Sequence, residues 1–207
     1  MPEITIDCQN LPCPQPVLEC KKLIETHIPS AFSIRVDNEA AKENVTRFVA
    51  GKGYGVTSEM TAFGWLLHAV RNESSTAQCA CEVMTADQQK ALNSPTSRIC
   101  VFLTADGIGS GDDELGARLM KNFIATLPEL GAELWRIVMV NGGVRLAVQG
   151  SPVQKELEQL EQAGVSILVC GTCLDFFQLL DARVVGQTTN MLDVVTSLQL
   201  ASKVIRP

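Results

Sequence analysis

Hydrophobic positions along the chain fall into two patterned stretches separated by one with no clear period. In ITIDC, Ile4, Ile6 and Cys8 alternate onto one face, the pattern of a half-buried strand. Val17, Cys20, Ile24 and Ile28 then recur at helical spacing, and Phe32, Ile34 and Val36 alternate again in FSIRV. Asn38 suits the N-cap of a helix that puts Ala41, Val45, Phe48 and Val49 on one side. That helix stops at Gly51, where GKGYG supplies glycines for a cap and a turn. GVTSEM and FGWLLHAV pair as adjacent strands. The pattern predicts an α+β two-layer sandwich over residues 1–71.

Residues 72–96 lose this periodicity and gain Ser, Thr, Gln and Asn, which reads as a linker with a short helix around Ala86 to Leu92. From residue 97 strand and helix alternate, as in an α/β layered, mostly parallel sheet covered on both faces. RICVFLT, LWRIVMV and VSILVC are its buried strands. DELGARLMKNFIATL is a helix, and Ser151, Pro152 and Gln154 make a capping-box start for another that ends near Gly164. After NGG comes the short apolar run VRLAV. Asn190 caps a last helix before the strand KVI. The expected domains are therefore 1–71 and 97–207, joined by 72–96.

Composition narrows the function classes. Hydrophobic residues make up 46% and charged residues 19% of the 207, a globular composition. The formal net charge of −6 argues against a nucleic-acid or anionic-membrane surface. No apolar run reaches the length of a membrane span. MPEITIDCQN lacks the basic and apolar regions of a secretory signal, so a cytoplasmic location is expected. In that reducing compartment the eight cysteines are expected as thiols. Cys8, Cys20 and Cys100 sit in apolar patterns and read as core filler. Cys13, the pair Cys79/Cys81 and the pair Cys170/Cys173 lie at turns or in loops.

In LPCPQPVLECKK, Cys13 stands between two prolines just before a helical pattern. With Pro14 as first helical residue, the N–H groups of Gln15 and Val17 would point back at the sulfur and favour thiolate. The alternative is a capping turn with an incidental cysteine. Cys20 lies about two turns, roughly 10 Å, along the helix and cannot bridge to Cys13.

Cys170-Gly-Thr-Cys173 follows a buried strand, and catalytic groups gather beyond the carboxyl ends of parallel strands. One thiolate of such a pair can attack a persulfide and the other can resolve the product. The cysteine nearer the helix start is expected to be the more acidic. The alternative is two structural thiols. No basic residue follows in LDFF.

Other motifs fail. GIGSG lacks the third glycine of a dinucleotide loop and is followed by Asp112, Asp113 and Glu114, which repel phosphate. A four-thiolate zinc site from Cys79, Cys81, Cys170 and Cys173 would need one pair from the linker. His27 and His68 have no visible Ser or Cys partner and read as structural. No cofactor and no resident metal are expected.

EITIDC followed by LPCPQPVLECKK resembles the TusA-like family of small sulfur carriers, marked by Cys-Pro-x-Pro at the start of the first helix. The resemblance covers about residues 1–71 and implies that Cys13 carries a persulfide. LTADGIGSGDDELGARLM, VNGGVRLA and VCGTCL resemble the DsrE-like family, in which a cysteine after the central strand accepts or releases sulfur. That implies an active Cys170 or Cys173 and a homo-oligomer formed through this domain. The two in this order resemble the YedF-type architecture linked to selenium metabolism.

The resemblance implies a sulfurtransferase-like relay of sulfur or selenium. Its partners would be a cysteine desulfurase, or another sulfane-sulfur or selenium donor, and a downstream acceptor protein. Two rivals make different predictions. A non-catalytic carrier or regulatory module would load Cys13 while Cys170 and Cys173 never change state. A dithiol oxidoreductase would cycle the pair and leave Cys13 structural.

Overall fold

The computed structural model describes residues 4–72 and 97–207, and the chain divides into two compact units, Met1–Pro95 and Thr96–Pro207. Apart from Asn72, the expected linker with its short helix, and with it Cys79 and Cys81, lies outside the described residues.

The first unit runs β1 (Ile4–Asp7), α1 (Gln15–His27), β2 (Ala31–Val36), α2 (Glu39–Gly51), β3 (Tyr54–Thr61) and β4 (Gly64–Arg71). Its sheet has the order β1-β2-β4-β3, with β1 parallel to β2 and the other pairs antiparallel. The period-two pattern decides what is buried. Phe32, Ile34 and Val36 of β2 and Leu67 and Ala69 of β4 share the face that the helices cover, with Val17 and Cys20 of α1 and Val45 and Val49 of α2. Asn38 caps α2 by accepting from the Ala41 N–H at 2.8 Å, as its position suggests. Tyr54 sets its ring edge against Phe32 and donates its hydroxyl to the Pro29 carbonyl at 2.8 Å, satisfying a buried polar tip.

The second unit runs β5 (Ile99–Leu103), α3 (Asp113–Thr126), β6 (Leu134–Met139), a 3-10 segment (Asn141–Ala147), α4 (Gln154–Gln162), β7 (Ser166–Cys170), α5 (Gly171–Phe176), β8 (Gln187–Thr189), α6 (Met191–Leu200) and β9 (Lys203–Ile205). Its five strands lie in the order β8-β7-β6-β5-β9 and every pairing is parallel. The main core includes Val101 and Leu103 of β5, Ile137 and Met139 of β6, Met120 and Ile124 of α3, and Leu157 of α4. A smaller cluster of Cys100, Val138, Leu168 and Val194 packs under α6 on the other face. Arg136 donates there to Ser166 and to Ser197, keeping a charged side chain satisfied. No helix among the described residues is long and apolar enough to cross a membrane.

Three local expectations differ from the structure. The run after NGG closes into a 3-10 segment. α4 starts at Gln154 with Val153 in the N-cap position, so the helix begins later than the capping box implies. Part of the box survives, because the Gln154 side chain still accepts from the Gly150 N–H at 3.0 Å. β8, only three residues long, has too short a pattern to be seen in the sequence.

Burial of the core thiols gives the fold an alkaline limit. Burial pushes Cys8 up to about 11, with Glu19 and Asp7 adding to it. Burial first, then Cys8 and Glu19, push Cys20 up to about 12, and burial raises Cys100 to about 11 against Arg136. The unfolded thiols ionise near 9.0, whereas the folded ones hold their protons to higher pH. Stability is therefore full below pH 9.0 and is lost as pH rises toward 11 to 12, by about 1.4 kcal/mol per pH unit for each thiol. The melting temperature of the first unit should fall steeply over that window, and Cys20→Ala should flatten the fall. An unchanged slope in that variant would contradict the assignment.

Candidate functional site

The loop that carries Cys13 is fixed by the ends of the sheet. The Cys8 N–H donates to the Arg35 carbonyl at 2.9 Å, so the chain leaves β1 alongside β2. Asn10 then takes a left-handed φ of 59°, which asparagine tolerates better than most residues, and its N–H donates to Asp37 Oδ2 at 2.6 Å. The Gln9 side chain donates to the Phe63 carbonyl at 2.7 Å, joining the loop to the β3–β4 turn. That turn in turn presses on the β2–α2 connection, where a Cβ on Gly64 would stand 2.3 Å from the Val36 carbonyl oxygen. Cys13 emerges from this bracing exposed to solvent.

The first turn of α1 differs from the expected one. Pro14 is the N-cap and Gln15 the first helical residue. The Gln15 N–H donates to the Pro12 carbonyl at 2.8 Å and the Val17 N–H to the Pro14 carbonyl at 3.0 Å. Pro16, between them, has no N–H. The donors expected to hold the Cys13 sulfur are therefore spent on backbone carbonyls. The prolines shape a tight turn that presents the thiol, and they do not solvate it.

In the second unit the strand exit behaves differently. Cys170 ends β7 and is the N-cap of α5, but only 4% of it is exposed and it belongs to the main core. Cys173, one turn on, is half-buried, and its Sγ accepts the Asn141 backbone N–H at 3.1 Å. Asn141 opens the 3-10 segment with a left-handed φ of 49°, which turns that N–H toward α5. The cysteine nearer the helix start, Cys170, is thus buried, and Cys173 is the half-buried one.

The 3-10 segment also brings a cation that LDFF lacks. The Arg145 guanidinium lies 4.5 Å from the centre of the Phe177 ring, at the end of α5, and 3.5 Å from Asp106 Oδ2. Neither Asn141 nor Arg145 stands out in the sequence. The only signal is NGG, whose Gly143 comes so close to Leu103 that a Cβ would stand 2.5 Å from its carbonyl oxygen.

His68 has a partner after all. Ser33 Oγ lies 2.9 Å from its Nδ1, and Glu59 lies 3.5 Å from its Nε2, across neighbouring strands. The order Ser–His–Glu mimics a nucleophile relay, but Ser33 is 2% exposed, so no substrate reaches its hydroxyl. After GIGSG, Asp112 caps α3 by accepting from the Leu115 N–H at 2.8 Å. Among the described residues no group of three or more His, Cys, Asp or Glu side chains is placed to hold a metal ion.

The described cysteines thus separate into buried Cys8, Cys20, Cys100 and Cys170, half-buried Cys173 and exposed Cys13. Of the described cysteines, alkylation of the native protein at pH 8 followed by peptide mass analysis should label Cys13 first, Cys173 next and the buried four only on unfolding. Early labelling of Cys20 or Cys100 would contradict this partition.

Residues 4–71 match the family described as Sulfurtransferase TusA, so the first unit contains a TusA-type sulfur-carrier or sulfurtransferase domain. No curated protein matches the chain. Among solved structures, a SirA-like protein from Desulfitobacterium hafniense is 26% identical over 32% of this chain and 93% of its own, with a TM-score of 0.30. The ychN protein from E. coli is 17% identical over 54% of this chain and 99% of its own, with a TM-score of 0.44. A protein of unknown function from Methanobacterium thermoautotrophicum is 21% identical over 53% of this chain and 98% of its own, with a TM-score of 0.41.

Proposed function

We propose that this chain, with its TusA-type domain at residues 4–71, is a sulfur- or selenium-handling protein that relays its cargo from Cys13 to Cys173. The observation that carries the reading is the thiol partition: among the described cysteines, only Cys13 and Cys173 are not buried. A cysteine desulfurase or comparable donor places sulfane sulfur or selenium on Cys13 as a persulfide or perselenide. The Cys173 thiolate attacks the outer atom, the bond to the Cys13 sulfur breaks, and Cys13 leaves as thiolate. Cys170 then attacks the Cys173 sulfur and expels hydrosulfide or hydroselenide. The pair is left as a disulfide, which a dithiol reductant resets. The Asn141 N–H supports the reading by holding the Cys173 sulfur in place at the exit of β7.

The second unit is read as DsrE-like and the whole as YedF-type. Exposed Met191 and Val195, one turn apart on α6, give the second unit an apolar patch for a homo-oligomer, with copies of this chain as partners. Variants of the resolving pair test the scheme after loading with a desulfurase and cysteine and removal of the excess cysteine. Cys170→Ser should trap a persulfide on Cys173 and abolish hydrosulfide release, whereas Cys173→Ser should leave the cargo on Cys13. If both variants release hydrosulfide at the unmodified rate, the resolving step does not occur at this pair.

A further inference from the structure

A groove of about 560 Å³ opens beside Arg145, lined among others by Asp106, Gly107, Asp112 and Asp113. It lies past the carboxyl end of β5 and against the 3-10 segment that follows β6, where parallel sheets gather ligands. Its size suits a small molecule. Its charges narrow the class. Asp106, Asp112 and Asp113 outnumber Arg145, so a bare anion is disfavoured and a ligand with a cationic group is drawn in. Arg145 meets Asp106 only at 3.5 Å, so most of its five donors remain for a carboxylate. Asp112 uses Oδ1 on the Leu115 N–H, and Asp113 adds a second carboxylate beside it. Cys173 is not among the lining residues, but the 3-10 segment that supplies Arg145 to the groove also contacts the Cys173 sulfur. Arg145 rests on Phe177 at the end of α5, and Asn141, at the start of the same 3-10 segment, holds the Cys173 sulfur.

We propose that this groove binds a zwitterionic low-molecular-weight thiol of the α-amino-acid type, its carboxylate on Arg145 and its ammonium against Asp112 and Asp113, as the acceptor of sulfur from Cys173. The proposal rests on the relay only for how Cys173 becomes charged. The bound thiolate attacks the outer sulfur of the Cys173 persulfide, a new S–S bond forms, and the bond to the Cys173 sulfur breaks. Cys173 leaves as thiolate and the small thiol departs as its persulfide. No net oxidation occurs, so this exit leaves no disulfide to be reduced.

The test uses the full chain with Cys13→Ala and Cys170→Ser, charged with inorganic polysulfide, and follows the Cys173 peptide by mass. L-cysteine, cysteamine, 3-mercaptopropionate and 2-mercaptoethanol are compared, each rate being divided by its rate with a small-molecule persulfide. At limiting thiol, L-cysteine should discharge Cys173 roughly tenfold faster than either one-charge analogue on this scale. Arg145→Gln should remove that advantage and leave cysteamine unaffected. Equal scaled rates for all four thiols, or an equal slowing of all by Arg145→Gln, would overturn the proposal. Calorimetric titration of the uncharged wild type with S-methyl-L-cysteine separates this idea from the relay. Saturable binding that Arg145→Gln abolishes sustains the groove even if Cys13 never charges Cys173. No binding, with the relay intact, would sink the groove alone.

Discussion

Replacing Cys13 by serine is expected to reduce sulfur loading of residues 4–71 to background, a loss of at least about a hundredfold, with no change in melting temperature. The size follows from the chemistry, because only the thiolate is a competent nucleophile here and a serine hydroxyl does not ionise at neutral pH. The unchanged stability follows from exposure, since surface substitutions away from special features stay within about 0.5 kcal/mol. Intact mass after incubation with a desulfurase and cysteine reads the first effect and thermal unfolding the second. Undiminished sulfur on a Cys13→Ser peptide set would move the carrier role to another cysteine.

Gly64→Ala is expected to unfold the same site from a distance. Its φ of +122° is a conformation that side chains rarely adopt, and the added Cβ would meet Val36 O at 2.3 Å and Asp37 Cα at 2.7 Å. Both obstacles are backbone, so no rotamer relieves them. The cost should be roughly 3 kcal/mol or more, a large part of what a small domain has. The β3–β4 turn and the β2–α2 connection would move apart, taking with them Phe63 and Asp37, which hold Gln9 and Asn10. The first unit should melt at least about 10 °C lower. Gly51→Ala is the control, because Gly51 ends α2 with nothing within 4 Å of its Cβ position, and it should be neutral or slightly stabilising. Equal melting of Gly64→Ala and wild type would refute the close approach.

Where a single chain segment determines the outcome, the sequence is a good guide. The alternation in FSIRV and the helical recurrence of Val17, Cys20 and Ile24 place the core of the first unit directly, because burial follows the period of each element. Asn38 and Asn190 announce the helix starts they cap, because the capping bond is local. The burial of Cys8, Cys20 and Cys100 follows in the same way.

What fails to be legible is set by contacts between distant segments. The first-turn donors of α1 can be counted from the sequence, but their capture by Pro12 and Pro14 depends on a backbone path that the pattern does not show. Asn141 finds Cys173 across 32 positions, and Arg145 finds Asp106 across 39. Ser33 meets His68 only through the β2–β4 register. The pair Cys170/Cys173 is visible as a motif, yet which sulfur is open depends on how α5 leaves the core, and the helix-start argument points to the buried one.

The relay itself is tested most directly by following one sulfur atom through the chain. Isotopically labelled cysteine and a desulfurase would load the reduced wild type, and the Cys13 and Cys173 peptides would be weighed at successive times. Labelled sulfur is expected first on Cys13 and then on Cys173, with none reaching Cys173 in Cys13→Ser. Labelled sulfur arriving on Cys173 at the same rate without Cys13, or never leaving Cys13 in the wild type, would contradict it.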